Sequence, residues 1–147
     1  MQGGLQNDIL NGGTGTDTAS YASSATAVSA SLATDFATGE GSDLLSLIER
    51  LSGSTKADSL TVADTDTSTS PSTNVANVLK GLGGVDTLDA AEGTGNDRVD
   101  GGTGTDVCQA DTGGTKITAR KDGGRIPHTP LRKREAPGPD RGLLAEG

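Results

Sequence analysis

The feature that most constrains this chain is a nine-residue period: two glycines, any residue, glycine, any residue, aspartate, any residue, an apolar residue, any residue. Gly12 to Ser20, GGTGTDTAS, and Gly101 to Gln109, GGTGTDVCQ, fill it completely, with Ala19 and Cys108 in the apolar slot. Directly upstream of each copy stands a unit lacking one glycine, GGLQNDILN at Gly3 to Asn11 and EGTGNDRVD at Glu92 to Asp100. Gly81 to Asp89 reads GLGGVDTLD, and Ser72 to Lys80 reads STNVANVLK, with Asn77 in the aspartate slot and Leu79 in the apolar one. Ala110 to Thr118, ADTGGTKIT, keeps an apolar residue at Ile117 but has Thr115 where the aspartate belongs. Five units therefore run in phase over 72–118, interrupted by the insertion of Ala90 and Ala91. Phase held over that length distinguishes a repeat from a flexible linker that happens to be rich in Gly, Thr and Asp.

Glycine at two or three of the first four places means a turn whose backbone angles other residues avoid. The three residues after the aspartate then make a minimal strand whose middle side chain points opposite to its neighbours. Stacked, the middle residues Leu79, Leu88, Val99, Cys108 and Ile117 form one narrow inner column. Such economy is necessary, because Leu, Ile, Val and Phe make up only 26 of 147 residues, about 18%, and the net charge is -8. A conventional core is out of reach, so folding needs a further source of free energy such as a metal. The expectation is an all-β fold with no long helix.

The same glycines let backbone carbonyls crowd toward a shared point, and an aspartate closing each turn adds carboxylate oxygens there. Six to eight hard oxygen ligands in loose geometry suit calcium better than magnesium. Stacked aspartates repel one another without a cation, so calcium and folding should be coupled. Residues 1–118 carry 16 acidic against 5 basic side chains, which argues against nucleic acid as the partner of the body. The single Cys108 excludes an internal disulfide and a multi-cysteine zinc site, and reads as an inward filler rather than a nucleophile. No apolar run is long enough to span a membrane. Met1 is followed by no signal-peptide pattern, and the chain starts inside a repeat, which reads as a fragment or the tail of a longer protein.

GGTGTDTAS and GGTGTDVCQ resemble the hemolysin-type calcium-binding repeat of RTX (repeats-in-toxin) proteins. The resemblance extends over roughly residues 3–118, and the stretch from Tyr21 through DLLSLIERLSGSTKADSLT is similar to the segment that joins two arrays in that family. It implies a right-handed parallel β-roll, or β-solenoid, with two units per coil and calcium between a unit and the next but one. Transferred to this chain, that pairs Asp86 with Asp106 on one side and Asn77 with Asp97 on the other. Turn glycines would complete the shells through their carbonyls: Gly81 and Gly84, Gly102 and Gly104, Gly93 and Gly95, and Gly13 and Gly15 in the first copy. Asp8 and Asp17 fall on opposite sides, so each needs a partner from the middle segment or from further units upstream. The resemblance also implies a secreted or cell-surface protein, unfolded and exportable at low intracellular calcium and folded outside.

The expected organisation is an N-terminal repeat pair (1–20), an irregular β segment joining two arrays (21–71) with a polar loop at 64–74, the main array (72–118) and a basic, Pro/Gly-rich disordered tail (119–147). In the middle segment, Val28, Ala30 and Leu32 lie on one face of an expected strand, and LIERLSGS reads as strand and turn. Asp43 and Asp58 keep the spacing of two residues before Leu45 and Leu60, and are read as solvated turn residues. GGTGTD superficially resembles a dinucleotide-binding loop, but Asp17 and Asp106 would face the pyrophosphate where a glycine is wanted. DTDTSTSPSTNV fails as an EF-hand loop, with Thr69 at the glycine and Val75 at the bidentate glutamate. The functional expectation is a non-enzymatic calcium-binding module. Alternatives are the calcium-binding tail of a larger secreted protease or lipase with its catalytic domain upstream, and a structural or adhesive spacer.

Overall fold

A computed structural model describes residues 1–62, 76–91 and 97–110, and the backbone of 115–117. The polar loop at 64–74, the tail at 119–147 and the turn holding Gly93 and Gly95 lie outside the described residues. Every element is a short strand, because each unit leaves only about three residues between glycine turns. No helix occurs among the described residues, so none is long and apolar enough to cross a membrane.

In chain order the strands are β1 (Ile9–Asn11), β2 (Thr18–Ser20), β3 (Ser29–Ser31), β4 (Phe36–Thr38), β5 (Ser42–Ser46), β6 (Arg50–Ser52) and β7 (Ser59–Thr61). They continue as β8 (Val78–Lys80), β9 (Gly83–Gly84), β10 (Thr87–Ala90), β11 (Arg98–Asp100), β12 (Thr103–Gly104), β13 (Val107–Ala110) and β14 (Thr115–Ile117). A seven-stranded sheet runs β1-β5-β4-β3-β7-β10-β13, and a five-stranded sheet runs β14-β11-β8-β6-β2. Apart from β3 to β5, which share the larger sheet, and the two-residue strands β9 and β12, which pair with each other, successive strands alternate between the two, so β7 then β8, β10 then β11, and β13 then β14 each make one circuit. Strands stacked from one circuit to the next are parallel.

Alternation of side chains across the strand puts one residue of every three inside. The inner residues form two facing columns rather than the single one expected, because consecutive units lie in opposite sheets. Leu60, Leu88 and Cys108 stand opposite one another in the larger sheet, and Ala19, Leu51, Leu79 and Val99 in the smaller. Leu51, Leu60, Leu79 and Leu88 are fully enclosed. Each such leucine contributes about 1.5–3 kcal/mol relative to exposure. Cys108 packs, half-buried, against this core, as its slot demands.

Three local outcomes depart from the simplest stacking. The Ala90–Ala91 insertion leaves the register intact, since Ala90 lengthens β10 and pairs with Ala110. Residues 29–38 fold into an antiparallel hairpin, β3 and β4, which lodges between β5 and β7 and makes its sheet two strands wider than the other. Val28, Ala30 and Leu32 are buried on one face, as their alternation predicts. Finally, Lys116 rather than Ile117 stands opposite Val99, with Ile117 opposite Asp100. The last unit has Thr115 in place of the aspartate, and its strand starts at that residue instead of after it.

Candidate metal centre

Each inward residue of a circuit is preceded, two positions earlier, by the residue that closes the turn: Asp86 before Leu88, Asp106 before Cys108, Asp97 before Val99, Asn77 before Leu79. Parallel stacking places these residues in rows along the edges of the two sheets. Within a row the carboxylate of one turn accepts the backbone N–H of the equivalent residue one circuit earlier. Asp86 N–H donates to Asp106 Oδ1 at 3.0 Å and Asn77 N–H to Asp97 Oδ1 at 2.8 Å. Both expected pairs are thus brought together.

The row reaches further than the nonapeptide spelling does. Asp58 N–H donates to Asp86 Oδ1 at 2.8 Å, and Val28 N–H to Asp58 Oδ1 at 2.8 Å. Asp8 N–H donates to Asp43 Oδ1 at 3.0 Å, and Asp17 N–H to Glu49 Oε2 at 2.7 Å. Asp43 and Asp58 are therefore not solvated: they are 1% and 3% exposed, because strand stacking carries their turns into the same edge rows. The middle segment supplies the partners that Asp8 and Asp17 require. Glu49 escaped sequence reading because no glycine turn precedes it, although it stands two residues before the inward Leu51, as an aspartate would.

The turns of the main array also stack directly. β9 and β12 pair, Thr103 opposite Gly83 and Gly104 opposite Gly84. Gly84 and Gly104 have φ of +121° and +140°, and a side chain on either would strike a backbone carbonyl of the turn before, Lys56 O and Gly84 O respectively. Carbonyls of successive turns accordingly approach the next turn without any intervening side chain. Beside Gly81 the crowding is of oxygen atoms: where its Cβ would stand, Asp86 Oδ2 and the Gly101 carbonyl both lie close, the latter at 2.5 Å. A side chain at Gly101 would likewise strike Asp106 Oδ2. By contrast Gly13 and Gly15, in the first GGTGTD, face open space with nothing within 4 Å.

Electrostatics divides these carboxylates into two kinds. Asp58 is closed by protein donors: Ser54 Oγ at 2.9 Å and Val28 N–H on Oδ1, Ser54 N–H at 2.5 Å on Oδ2. Asp43 is closed too, by Asp8 N–H and by the Tyr21 hydroxyl at 3.0 Å. Asp86 is fully buried, yet its Oδ2 has no hydrogen-bond partner; the buried Oδ2 atoms of Asp106 and Asp8 also have none. Burial pushes the Asp86 carboxyl up from 3.8 to about 6, with the Asp58 and Asp106 charges adding to it and the Asp58 N–H opposing. Burial likewise pushes up the Cys108 thiol, helped by Asp106, Asp100 and Asp86, and so makes it a poor nucleophile. The Tyr21 phenol moves the same way, through burial and then its bond to Asp43.

An orphaned buried carboxylate oxygen next to an inward carbonyl, in a space that any Cβ would fill, suits a hard divalent cation. No group of three or more His, Cys, Asp or Glu side chains converges among the described residues. Backbone carbonyls must then supply most of the ligands, which favours calcium over zinc. Residues 1–19, 76–94 and 93–114 match the RTX calcium-binding nonapeptide repeat, in four copies. No curated protein and no solved structure matched the chain.

Proposed function

We propose that the chain, which matches the RTX repeat over those segments, binds calcium in its stacked turns and that this binding completes the folding of a parallel β-roll. Calcium binding is the property attached to the matched repeat. Asp86 and Asp106, with carbonyls of the turns at Gly81, Gly84, Gly102 and Gly104, would hold the best-formed site. Asp97 and Asn77, with Gly93 and Gly95, would hold a second with one carboxylate fewer. Asp8, whose Oδ2 has no partner, and Asp17 with Glu49 would hold ions at the N-terminal end, where the open surroundings of Gly13 and Gly15 favour weaker binding. When bound, the ion supplies positive charge to the edge rows. The chain's own groups fix the carboxylates through the N–H ladder, and the inner leucines exclude water from behind them.

The observation that carries this reading is Asp86 Oδ2, fully buried, unpartnered and close to the Gly101 carbonyl. We read the chain as a binding module without a reaction of its own, secreted or displayed at a cell surface, where calcium is plentiful enough for sites of modest affinity. It could serve as the calcium-dependent tail of a larger secreted hydrolase or as an adhesive spacer. Circular dichroism during a calcium titration tests the core of the proposal. Millimolar calcium should raise the β signal, and Asp106→Ala should abolish most of that rise. An unchanged spectrum in wild type, or an undiminished response in the variant, would sink it.

A further inference from the structure

We propose that the outer face of the five-stranded sheet binds an acidic polysaccharide. The repeat prescribes the turn glycines, the aspartate and the inward residue, and it leaves the two outward positions of each strand free. On β2, β6, β8 and β11 those free positions hold Thr18 and Ser20, Arg50 and Ser52, Val78 and Lys80, and Arg98 and Asp100. Parallel register sets Thr18, Arg50, Val78 and Arg98 in one row across the sheet, and Ser20, Ser52, Lys80 and Asp100 in the next. All of these but Asp100 line a groove of about 410 Å³.

The charge of this groove runs against that of the molecule. Of the four described Lys and Arg side chains, Arg50, Lys56, Lys80 and Arg98, three line it, in a chain of net charge -8. The corresponding outward positions on β7, β10 and β13 of the other sheet are Ser59, Thr61, Thr87, Asp89, Val107 and Gln109, with no cation. Arg98 reaches Asp100 at 3.4 Å, a solvent-exposed pair that holds the guanidinium only weakly. Among the described residues, Arg50 and Lys80 have no carboxylate within ion-pair distance. Nothing in the fold requires these cations, and they alternate from strand to strand along the direction in which the circuits stack.

Ligand chemistry follows from the lining. Three cations call for an anionic ligand, and the hydroxyls of Thr18, Ser20 and Ser52 can exchange hydrogen bonds with hydroxyl-rich neighbours. Four strands at roughly 4.8 Å spacing give a strip about 14 Å long, suited to an extended chain. No aromatic ring lines it, so the base stacking on which single-stranded nucleic acids rely is missing. Sulfated or carboxylated sugars combine the required charge, hydroxyls and extended shape. The inference needs the folded sheet but not calcium ligation by any of these residues.

Heparin-derived hexasaccharide is the probe, titrated calorimetrically against the full chain in calcium, with a neutral dextran oligosaccharide and a single-stranded oligonucleotide alongside. Arg50→Gln with Lys80→Gln should weaken hexasaccharide binding about tenfold or more while leaving the calcium-induced β signal unchanged. Substituting the tail cations Arg132, Lys133 and Arg134 by Gln should change it less than twofold. Absent binding, loss on the tail substitutions instead, or equal binding of the oligonucleotide with the same losses would each overturn the proposal. So would a dimer that the groove double variant dissociates, since a second copy would then occupy the face.

Discussion

At the residue scale, function concentrates in the contrast between two buried aspartates one circuit apart. Asp58 finds Ser54 and Val28 as donors, whereas Asp86 keeps an oxygen without a partner. The consequence has a definite sign. The folded-state pKa of Asp86, about 6, lies above its ordinary 3.8, so the calcium-free fold is favoured below pH 4 and loses that advantage as pH rises through 6. On the proposed function calcium binds this carboxylate, so its affinity should move oppositely, falling below pH 6 as a proton competes. Thermal unfolding with chelator at pH 4.5 and 7.5, paired with calcium titrations at both, measures the two trends. Asp86→Asn should raise calcium-free stability at pH 7.5 and shrink the calcium-induced increment; a variant that lost stability in chelator would contradict the account. Leu82 adds a residue-scale cost, for it holds φ +75° in the slot where Gly102 holds +85° and Gly13 +83°.

At the element scale, the same turn behaves differently according to what lies beneath it. Gly15 and Gly104 occupy equivalent places in the two GGTGTD copies, and both have positive φ, +122° and +140°. A methyl group at Gly15 meets nothing, while at Gly104 it meets the Gly84 carbonyl. Gly15→Ala should therefore cost about 1 kcal/mol from backbone angles alone. Gly104→Ala should cost several times more and reduce the calcium response, as chemical denaturation with and without calcium would register. The turn at Gly53 to Asp58 makes the complementary case. Ser54→Ala removes a donor from a buried carboxylate and should destabilise by about 1–3 kcal/mol, equally in calcium and in chelator. If calcium rescued it, Asp58 would be a ligand in its own right.

At the scale of the whole molecule, protein-satisfied turns in the middle segment adjoin turns of the main array whose carboxylates keep unpartnered oxygens, at Asp86 and Asp106. Residues 21–62 contribute Tyr21, Leu51, Leu60 and a self-satisfied Asp58 and Asp43 to one continuous core. The array from Asn77 to Ala110 stacks on them through β7 to β10 and β6 to β8. Removing calcium should then loosen the molecule unevenly. In chelator, hydrogen exchange should accelerate at the amides of Asp86 and Asn77, whose acceptors are array carboxylates, and much less at Val28 and Ser54, whose acceptor is Asp58. Uniform loss of protection would mean that the middle segment depends on the ion as much as the array does.

The sequence by itself determined what each unit can be. The resemblance to the RTX repeat implied the pairs Asp86 with Asp106 and Asn77 with Asp97; glycine spacing dictated the turns, and the single apolar slot dictated which side chain goes inside. The turns and the inward slot follow from backbone sterics and strand alternation, which are local. Tertiary structure alone decided which turns lie against which. It placed Asp43 and Asp58 inside, gave Asp17 a glutamate partner that no glycine turn announces, slipped β14 by one residue, and left Gly13 and Gly15 open while setting their counterparts Gly102 and Gly104 against the carbonyls of the turn before. Hydrogen bonds between circuits join residues 20 to 35 positions apart here. No short window of sequence records whether the next turn has arrived to use its oxygens.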